Sequence, residues 1–399
     1  MKGFLAPDRL PRYFLFLWFS GLLIPYLYVL LLRYGPYVLL FVERDIVIQF
    51  SLLFLSIQIV STFISILLPF QDSSRYIAIF HNYICFFFFL IGYILQRYKK
   101  SFREELFRML PIIYWFSVII SISSFTFFLL TFKPIYYKGI LGLIFHVENK
   151  YTLVKIVYTG YGLGGIIPRV QVFGLYSNTA AIVMYIIYTL YLVSQNERRL
   201  YIKMGFIILS LISLATTGSR IVFLAFLLFS YFYLLEGRKT FFLSFLTIIF
   251  AFIIFSKQFH QFLSFMESLR ESSNMTRIKI YQTSIELMMN YNFILGLGLK
   301  PKIPELLDFP VASHSSVIGY IVRSGFVGAV FVLSVYLLFI INLLVFILKK
   351  EYTRKEKYLV VICGLLLIYI FEDFDAYELT TFFTGILVAT WRLKECLES

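Results

Sequence analysis

The sequence predicts an all-α, polytopic integral membrane protein with about eleven or twelve transmembrane helices. Three observations carry that prediction. Hydrophobic residues make up 60% of the 399 and charged residues only 15%, against roughly 45–50% and about 25% in soluble domains. Mean hydropathy is +0.84. The net charge, 36 − 22 = +14, sits mostly in short loops between apolar runs, as cytoplasmic loops do under the positive-inside rule. Together they exclude a water-soluble globule and a disordered chain. With 3 Cys, two of them inside apolar runs, they also exclude a disulfide scaffold. In a soluble protein the basic excess would raise nucleic-acid binding; here topology accounts for it, and no nucleic-acid partner is expected. Residues 1–399 read as a single polytopic domain.

A membrane helix needs about 20 mostly apolar residues. Candidates run at 13–32, 46–69, 77–96, 110–132, 174–193, 200–216, 221–236, 240–256, 315–348, 358–371 and 380–394. The first has no small-residue cleavage site behind it and reads as a retained span. The run at 315–348 is too long for one straight span. Arg323, Ser324 and Gly325 near its start predict a short broken segment before a helix from about 326.

Four basic clusters set the sidedness: Arg97 to Arg108, Arg198 to Lys203, Arg238 with Lys239, and Lys349 to Lys357. All four lie inside if the spans alternate, which puts 133–173, 217–220, 257–313 and 372–379 outside. Eleven spans would put Met1 outside as well, although Lys2, Arg9 and Arg12 favour the cytoplasm. An extra crossing near 35–44 would reconcile this and give twelve. Two outer loops are long, 133–173 and 257–313, and long loops are commonly functional. Within the second, Ile278, Ile280, Ile285, Leu287, Met288 and Met289 among polar residues predict an amphipathic helix over 276–290, on or near the membrane surface.

Four outer features carry candidate chemistry. Arg169 precedes Gly174 and Asn178 at the mouth of a span; a snorkelling Arg is the plainer reading. Thr217-Gly218-Ser219-Arg220 forms a tight turn, yet a turn does not require Arg. Arg277 and Lys279 open the amphipathic stretch, and Gly296-Leu297-Gly298 after it reads as a turn. Ser313-His314-Ser315 enters the broken segment ahead of Arg323, Gly325 and Gly328. Ionisable residues at membrane depth are functional candidates by default. His81, His146 and His260 are scattered without HExxH or paired-carboxylate spacing, so no metal site is expected. Glu372, Asp373, Asp375 and Glu378 read first as a solvated loop, and alternatively as an acidic rim for a polar substrate or cation. Several outer Arg and one His suit a lipid-anchored diphosphate ligand, because guanidinium groups hold phosphate oxygens bidentately. A neutral His takes a proton from an attacking hydroxyl.

This set of motifs resembles the O-antigen polymerase and O-antigen ligase superfamily of bacterial envelope proteins. The matching pieces are Arg169, Gly174 and Asn178 at the span entry, TGSR at 217–220, Arg277, GLGL at 296–299, and HSSVIGYIVRSGFVG at 314–328. They cover roughly residues 165–345. Ser315 stands where many relatives carry Asn. The resemblance implies an all-helical, metal-independent membrane glycosyltransferase of the GT-C type, without cofactors. The donor would be a glycan on undecaprenyl pyrophosphate, in the bacterial cytoplasmic membrane, with the active site facing the periplasm or cell exterior. His314, Arg220 and Arg277 would be catalytic; Arg169, Asn178, Ser219 and Arg323 would bind substrate. Membrane lipid, a chain-length regulator and a flippase would be partners. The polymerase is the favoured activity, with the ligase acting on lipid A–core as alternative. A non-enzymatic flippase is the alternative from another class. The enzyme reading requires Arg169, Arg220, Arg277 and His314 to converge on one outer site.

Overall fold

The structure is a computed structural model. It describes residues 7–41, 45–65, 67, 73–133, 136–137, 154–155, 157–159, 168–172, 177–195, 199–235, 240–242, 244, 271–303, 306, 309–349, 352–374 and 377–393. Twelve α-helices organise the described residues. They are α1 (Leu10–Ser20), α2 (Leu23–Tyr34), α3 (Ile46–Ser65), α4 (Ser73–Tyr98), α5 (Lys100–Thr131) and α6 (Ser177–Gln195). Then follow α7 (Leu200–Ala215), α8 (Arg220–Leu234), α9 (Glu271–Tyr291), α10 (Ser316–Ile347), α11 (Arg354–Phe371) and α12 (Glu378–Trp391). Two small antiparallel ladders add β1 (Tyr136–Tyr137) with β2 (Val154–Lys155), and β3 (Val157–Thr159) with β4 (Pro168–Val170). The chain is an all-α polytopic membrane protein, and α3, α4, α5, α6 and α10 are each long and apolar enough to cross a bilayer. The candidate span 240–256 lies outside the described residues apart from 240–242 and 244, and so do 257–270 and most of the 133–173 loop.

The described residues of the basic clusters near 97–108, 199–203 and 349–357 collect at one end of the bundle. Lys203 and Lys357 both lie over the Tyr233 ring, at 5.8 and 4.8 Å. Lys349 pairs with Glu356, which also closes a capping box with Thr353 at the start of α11. Asp45 is buried there, accepting from Tyr93 and Tyr98 at 2.8 and 2.9 Å and from Arg392 at 3.3 Å.

The N-terminal candidate 13–32 departs from its expected form. Gly21 adopts a left-handed φ of 75°, and the Gly21 and Leu22 amides bond back to Trp18 and Leu17. This Schellman arrangement ends α1 and lets α2 leave in a new direction. Arg12, near the start of α1, pairs with Glu105 at 3.0 Å, while Tyr34, ending α2, lies beneath Lys99 at 5.9 Å. Both ends of the α1–α2 hairpin therefore lie at the basic end, so this stretch enters and leaves on one side as two short helices rather than one continuous span. Gly35–Phe41 is a 3-10 segment whose Phe41 stacks on Tyr98, so the described residues 35–41 form no membrane-length helix. Arg9 and Arg12 reach the basic end without one.

The core is built around α6, whose residues Ala180 to Val193 are all buried. Its polar groups are satisfied by neighbouring helices: Tyr188 meets Ser213 of α7 at 2.7 Å, and Tyr185 donates to the Val361 carbonyl of α11 at 2.9 Å. In a bilayer every such group needs an internal partner. The closest crossing is α4 against α12. A Cβ on Gly92 would stand 2.2 Å from the Phe382 carbonyl, and one on Gly385 only 2.0 Å from that of Phe89. Small residues permit this backbone approach, which is the main attraction between helices in lipid. The α10 face bearing Leu333, Leu337, Ile341 and Leu344 is exposed in the isolated chain and suits lipid.

α10 is broken as its sequence predicts. Gly325 has φ 60° and ψ −150°. The carbonyls of Val322 and Arg323, freed by the break, accept from the Leu297 and Gly298 amides at 2.8 and 2.9 Å, and Phe326 donates to Phe293. Gly296-Leu297-Gly298 is thus a backbone patch on a broken helix rather than a simple turn. Thr62 of α3 holds it from the other side through the Gly298 carbonyl, at 2.8 Å. The predicted helix over 276–290 is present as α9, and Ile280, Ser284 and Met288 form its buried stripe. That stripe packs on Leu297, Val311 and Val322.

The glycine contacts give a direct test. Gly385→Ala should overpack the α4–α12 crossing and cost about 1–3 kcal/mol or more, read as a lower melting midpoint in detergent. Gly205 faces open space, and Gly205→Ala should be neutral or raise the midpoint, since Ala is favoured by up to about 1 kcal/mol in a helix.

Candidate functional site

At the end of the bundle opposite the basic one, α6, α8, α9, α10 and the 372–374 loop meet. The loop between α11 and α12 is fixed by the start of α10. Ser315 caps that helix, its Oγ accepting from the Ile318 amide at 3.2 Å. Ser316 donates from both its amide (3.2 Å) and its Oγ (2.7 Å) to the Glu372 carbonyl, and its Oγ accepts from the Phe374 amide. A capping role suits Ser at this position.

This docking turns two adjacent carboxylates to opposite sides. Glu372 accepts from Asn178 Nδ2, at the N-terminus of α6, at 2.7 Å. Arg277 of α9 donates to the neighbouring Phe371 carbonyl at 3.4 Å. Burial pushes the Glu372 carboxyl up to about 7, and the Asp373 charge adds to that; Arg277, Asn178 and Arg169 act in the opposite direction. Asp373 takes Lys300 Nζ at 2.6 Å on one oxygen and the His314 amide at 3.2 Å on the other. Burial would raise Asp373 too, but the Lys300 ammonium, by charge and hydrogen bond, holds it below the ordinary carboxylate value, helped by His314 and Arg323.

His314 is held in the left-handed region, φ 65°, a conformation that costs a non-glycine residue about 1–3 kcal/mol. Both of its backbone groups are tied: its amide to Asp373, and its carbonyl to the Tyr281 hydroxyl at 2.9 Å. The imidazole is partly buried beside Phe309. Burial first, then the charge of Arg277, holds its pKa below the ordinary value, so the ring is neutral near pH 7. Such a ring accepts a proton.

Arg169 reaches the same site by another route. β4 lies along the 216–218 turn, with the Val170 amide bonded to the Thr216 carbonyl at 3.0 Å. The Arg169 side chain passes over Gly218, where a Cβ would meet its Nε at 3.2 Å. Gly218 is also at φ 67°, so this position needs glycine both for its backbone and for the arginine above it. Ser219 caps α8; it is 5% exposed and its Oγ has no hydrogen-bond partner among the described residues. Arg220 follows as the first, exposed residue of α8. A helix N-terminus with a spare hydroxyl and two arginines offers donors to an anion.

Of the residues singled out by sequence, Arg169, Asn178, Arg277 and His314 converge around the two carboxylates. Ser219 and Arg220 adjoin through the Gly218 turn. Arg323 differs from expectation: it is 1% exposed, donates from Nε to the Gly319 carbonyl at 3.3 Å, and lies 4.6 Å over the Tyr320 ring. It is placed beneath the site, beside a small cavity with Gln58, Asn82 and Tyr83, rather than on its rim. Sequence reasoning missed Lys300, and offered Glu372 and Asp373 only as the alternative to a solvated loop. The acidic run reads locally as a solvated loop, yet here Glu372 and Asp373 are partly buried and engaged, and Glu378 is buried. Asp375 lies outside the described residues.

Residues 205–333 match the O-antigen ligase family. The match supports the O-antigen polymerase and ligase superfamily read from the motifs. It contains Ser219, Arg220, Arg277, Lys300, His314 and Arg323; Arg169, Asn178, Glu372 and Asp373 lie outside it and join the site through the fold. No curated protein matches the chain. The family indicates a glycosyltransferase-like membrane enzyme acting on a lipid-linked oligosaccharide.

The raised Glu372 pKa has a sign that can be checked. Between its ordinary value of 4.5 and about 7 the folded state binds the proton more tightly than the unfolded one, so this group lowers stability as pH rises through that window. Glu372→Gln, which mimics the protonated form, should therefore melt higher than wild type at pH 8, with the gap closing near pH 4.5. A constant gap would place the Glu372 pKa at its ordinary value.

Proposed function

We propose that the chain polymerises lipid-linked oligosaccharide repeat units, transferring the glycan from undecaprenyl pyrophosphate to an acceptor sugar hydroxyl at the outer face of the cytoplasmic membrane. The observation that carries this reading is the convergence of Arg169, Arg277 and His314 on one site, away from the basic end. The positive-inside rule puts that site outside.

In the proposed step the acceptor oxygen bonds to the anomeric carbon of the donor as its bond to the pyrophosphate oxygen breaks. The leaving group departs with the electron pair as undecaprenyl pyrophosphate, and the acceptor proton passes to the neutral His314 ring. Attack opposite the leaving group inverts the anomeric centre. Arg220, Arg169 and Ser219, at the positive end of α8, together with Arg277 of α9, stabilise the charge developing on pyrophosphate. Arginine supplies this charge, so the transfer proceeds without a resident metal. Asp373 and Tyr281 hold the His314 backbone in its strained geometry, and Lys300 fixes Asp373. Glu372 and Asn178 face the same space and orient acceptor hydroxyls. Holding donor and acceptor together contributes as much as the chemistry, since oriented reactants gain about 7–11 kcal/mol.

The match to the O-antigen ligase family favours a second reading, in which the same step transfers the finished glycan to lipid A–core. Complementation of a strain lacking the gene separates the two. Single repeat units on the surface with long chains absent identify the polymerase. Long lipid-linked chains that never reach the surface acceptor identify the ligase. Arg220→Ala and Arg277→Ala should each reduce the rate by about 10²–10³-fold, as loss of one oxyanion donor does, while still reaching the membrane. Wild-type behaviour of both, and of His314→Ala, would remove the site assignment.

A pH profile of the purified enzyme tests the base. Only the neutral imidazole accepts a proton, so activity should fall with decreasing pH through a midpoint below 6.5, the ordinary histidine value. Added magnesium or manganese should leave the rate unchanged. A limb near 7 that vanishes together with activity in Glu372→Gln would give the base role to Glu372.

A further inference from the structure

A second cluster lies on α4 and α12, one turn of chain beyond the carboxylate loop. His81 and Cys85, four residues apart on α4, share one helical face. Glu378, the first residue of α12, approaches that face. His81 Nε2 stands 3.0 Å from Glu378 Oε1, and Cys85 Sγ lies 3.7 and 3.9 Å from the two imidazole nitrogens. One donor atom from each of the three residues falls within 4.8 Å of the others. Tyr28, on α2 of the N-terminal hairpin, adds a hydroxyl 3.0 Å from Glu378 Oε1.

From this convergence we infer that His81, Cys85 and Glu378 form a binding site for one zinc-like divalent ion, with Tyr28 or a water in the fourth position. The donor set is one nitrogen, one sulfur and one oxygen. That mixture suits a borderline ion such as Zn²⁺ and not the oxygen-seeking Mg²⁺ or Ca²⁺. Zinc bonds of about 2.0–2.3 Å at tetrahedral angles give ligand-to-ligand edges of about 3.3–3.6 Å. Through Nε2 the His81 edges are 3.0 Å to Glu378 and 3.9 Å to Cys85, and all three donors lie within 4.8 Å of one another, so seating the ion requires the side chains to draw in around it.

Burial supports the assignment. Cys85 is 0% exposed and the Glu378 side chain 4%, whereas the His81 side chain is 25% exposed and offers the way in. A buried carboxylate is costly unless it is paired or coordinated, and Glu378 is held by His81 and Tyr28, while a free Cys packs readily in a core. On binding, the Cys85 thiol gives up its proton to solvent and becomes the thiolate ligand. The ion ties α2, α4 and α12 together, directly behind the loop that aims Glu372 and Asp373. It is a structural latch, separate from the groups that face the sugar, and it does not depend on which transfer reaction the enzyme performs.

The test uses the full-length chain purified in detergent without chelator. Metal analysis should find one zinc per chain. After chelation, titration with Zn²⁺ against a fluorescent zinc indicator should restore one site at micromolar free ion and raise the melting midpoint. Replacement by Co²⁺ should give a thiolate-to-cobalt charge-transfer band in the near ultraviolet, a signature that needs no variant. Cys85→Ser should lose that band and bind at least about tenfold more weakly. His81→Gln should weaken binding in the same way. Absence of both retained zinc and micromolar binding in wild type would overturn the proposal. So would binding without the band, or binding unchanged in Cys85→Ser. Because the wild-type spectrum alone decides, a variant that fails to fold leaves the test intact.

Discussion

Everything at the candidate site depends on how the chain satisfies a broken helix in lipid. Gly325 interrupts α10 and strands the Val322 and Arg323 carbonyls. Inside a bilayer each unpaired backbone group costs several kcal/mol. The 293–298 segment supplies the missing donors, and Thr62 of α3 fixes that segment in turn. The glycine geometry leaves no alternative: a Cβ on Gly296 would sit 2.4 Å from the Gly325 amide, and one on Gly298 would sit 2.2 Å from the Ser61 carbonyl. Two glycines of the loop and one of the helix are thereby committed to a single backbone junction.

That junction sets where the charges go. Lys300 follows Gly298 by two residues, and its ammonium lies against Gly319, where a Cβ would meet Nζ at 2.9 Å. From there it reaches Asp373. Asp373 in turn reaches the His314 amide. A buried pair of this kind is a poor source of net stability, but breaking it costs about 3–5 kcal/mol because one charge is left alone. The pair therefore serves to fix the direction of the 372–374 loop. With Asp373 committed to Lys300, Glu372 points the other way, toward Asn178 and Arg277, and burial near a second carboxylate leaves it close to neutral. One loop thus carries a structural anion and a titratable acid side by side.

The described helices from α3 onward, the shared side of the described basic clusters and the break before 326 were legible, because hydropathy, charge asymmetry and glycine are local signals. So were Arg169, Arg277 and His314, which stand out as ionisable residues where a loop meets a span. The N-terminal hairpin was not. Apolar runs look alike whether they cross or turn back, and only the Arg12–Glu105 and Tyr34–Lys99 contacts distinguish the two. Lys300 and Asp373 were equally hidden. Each is unremarkable in its own segment, and the pairing arises from the α10 junction, which no local window contains. His81, Cys85 and Glu378 share this property, since the third residue lies at the far end of the chain.

The charge count at the site says what kind of ligand it awaits. Arg169, Arg220, Arg277, Lys300 and Arg323 contribute five positive charges, against Glu372 and Asp373. With both carboxylates ionised the excess is three, and with Glu372 protonated it is four. Such an excess at low dielectric is unstable by itself. Two features relieve it without removing it: Arg323 is sunk over the Tyr320 ring, and His314 stays neutral. The remaining charge favours an anion at the site. An anionic group entering there lowers the energy of the whole cluster, and a leaving group that gains charge during transfer lowers it further. Burial, with the Arg277 charge second, keeps His314 unprotonated at rest, so an arginine proposed to stabilise the departing pyrophosphate would also help keep the proposed base ready to act.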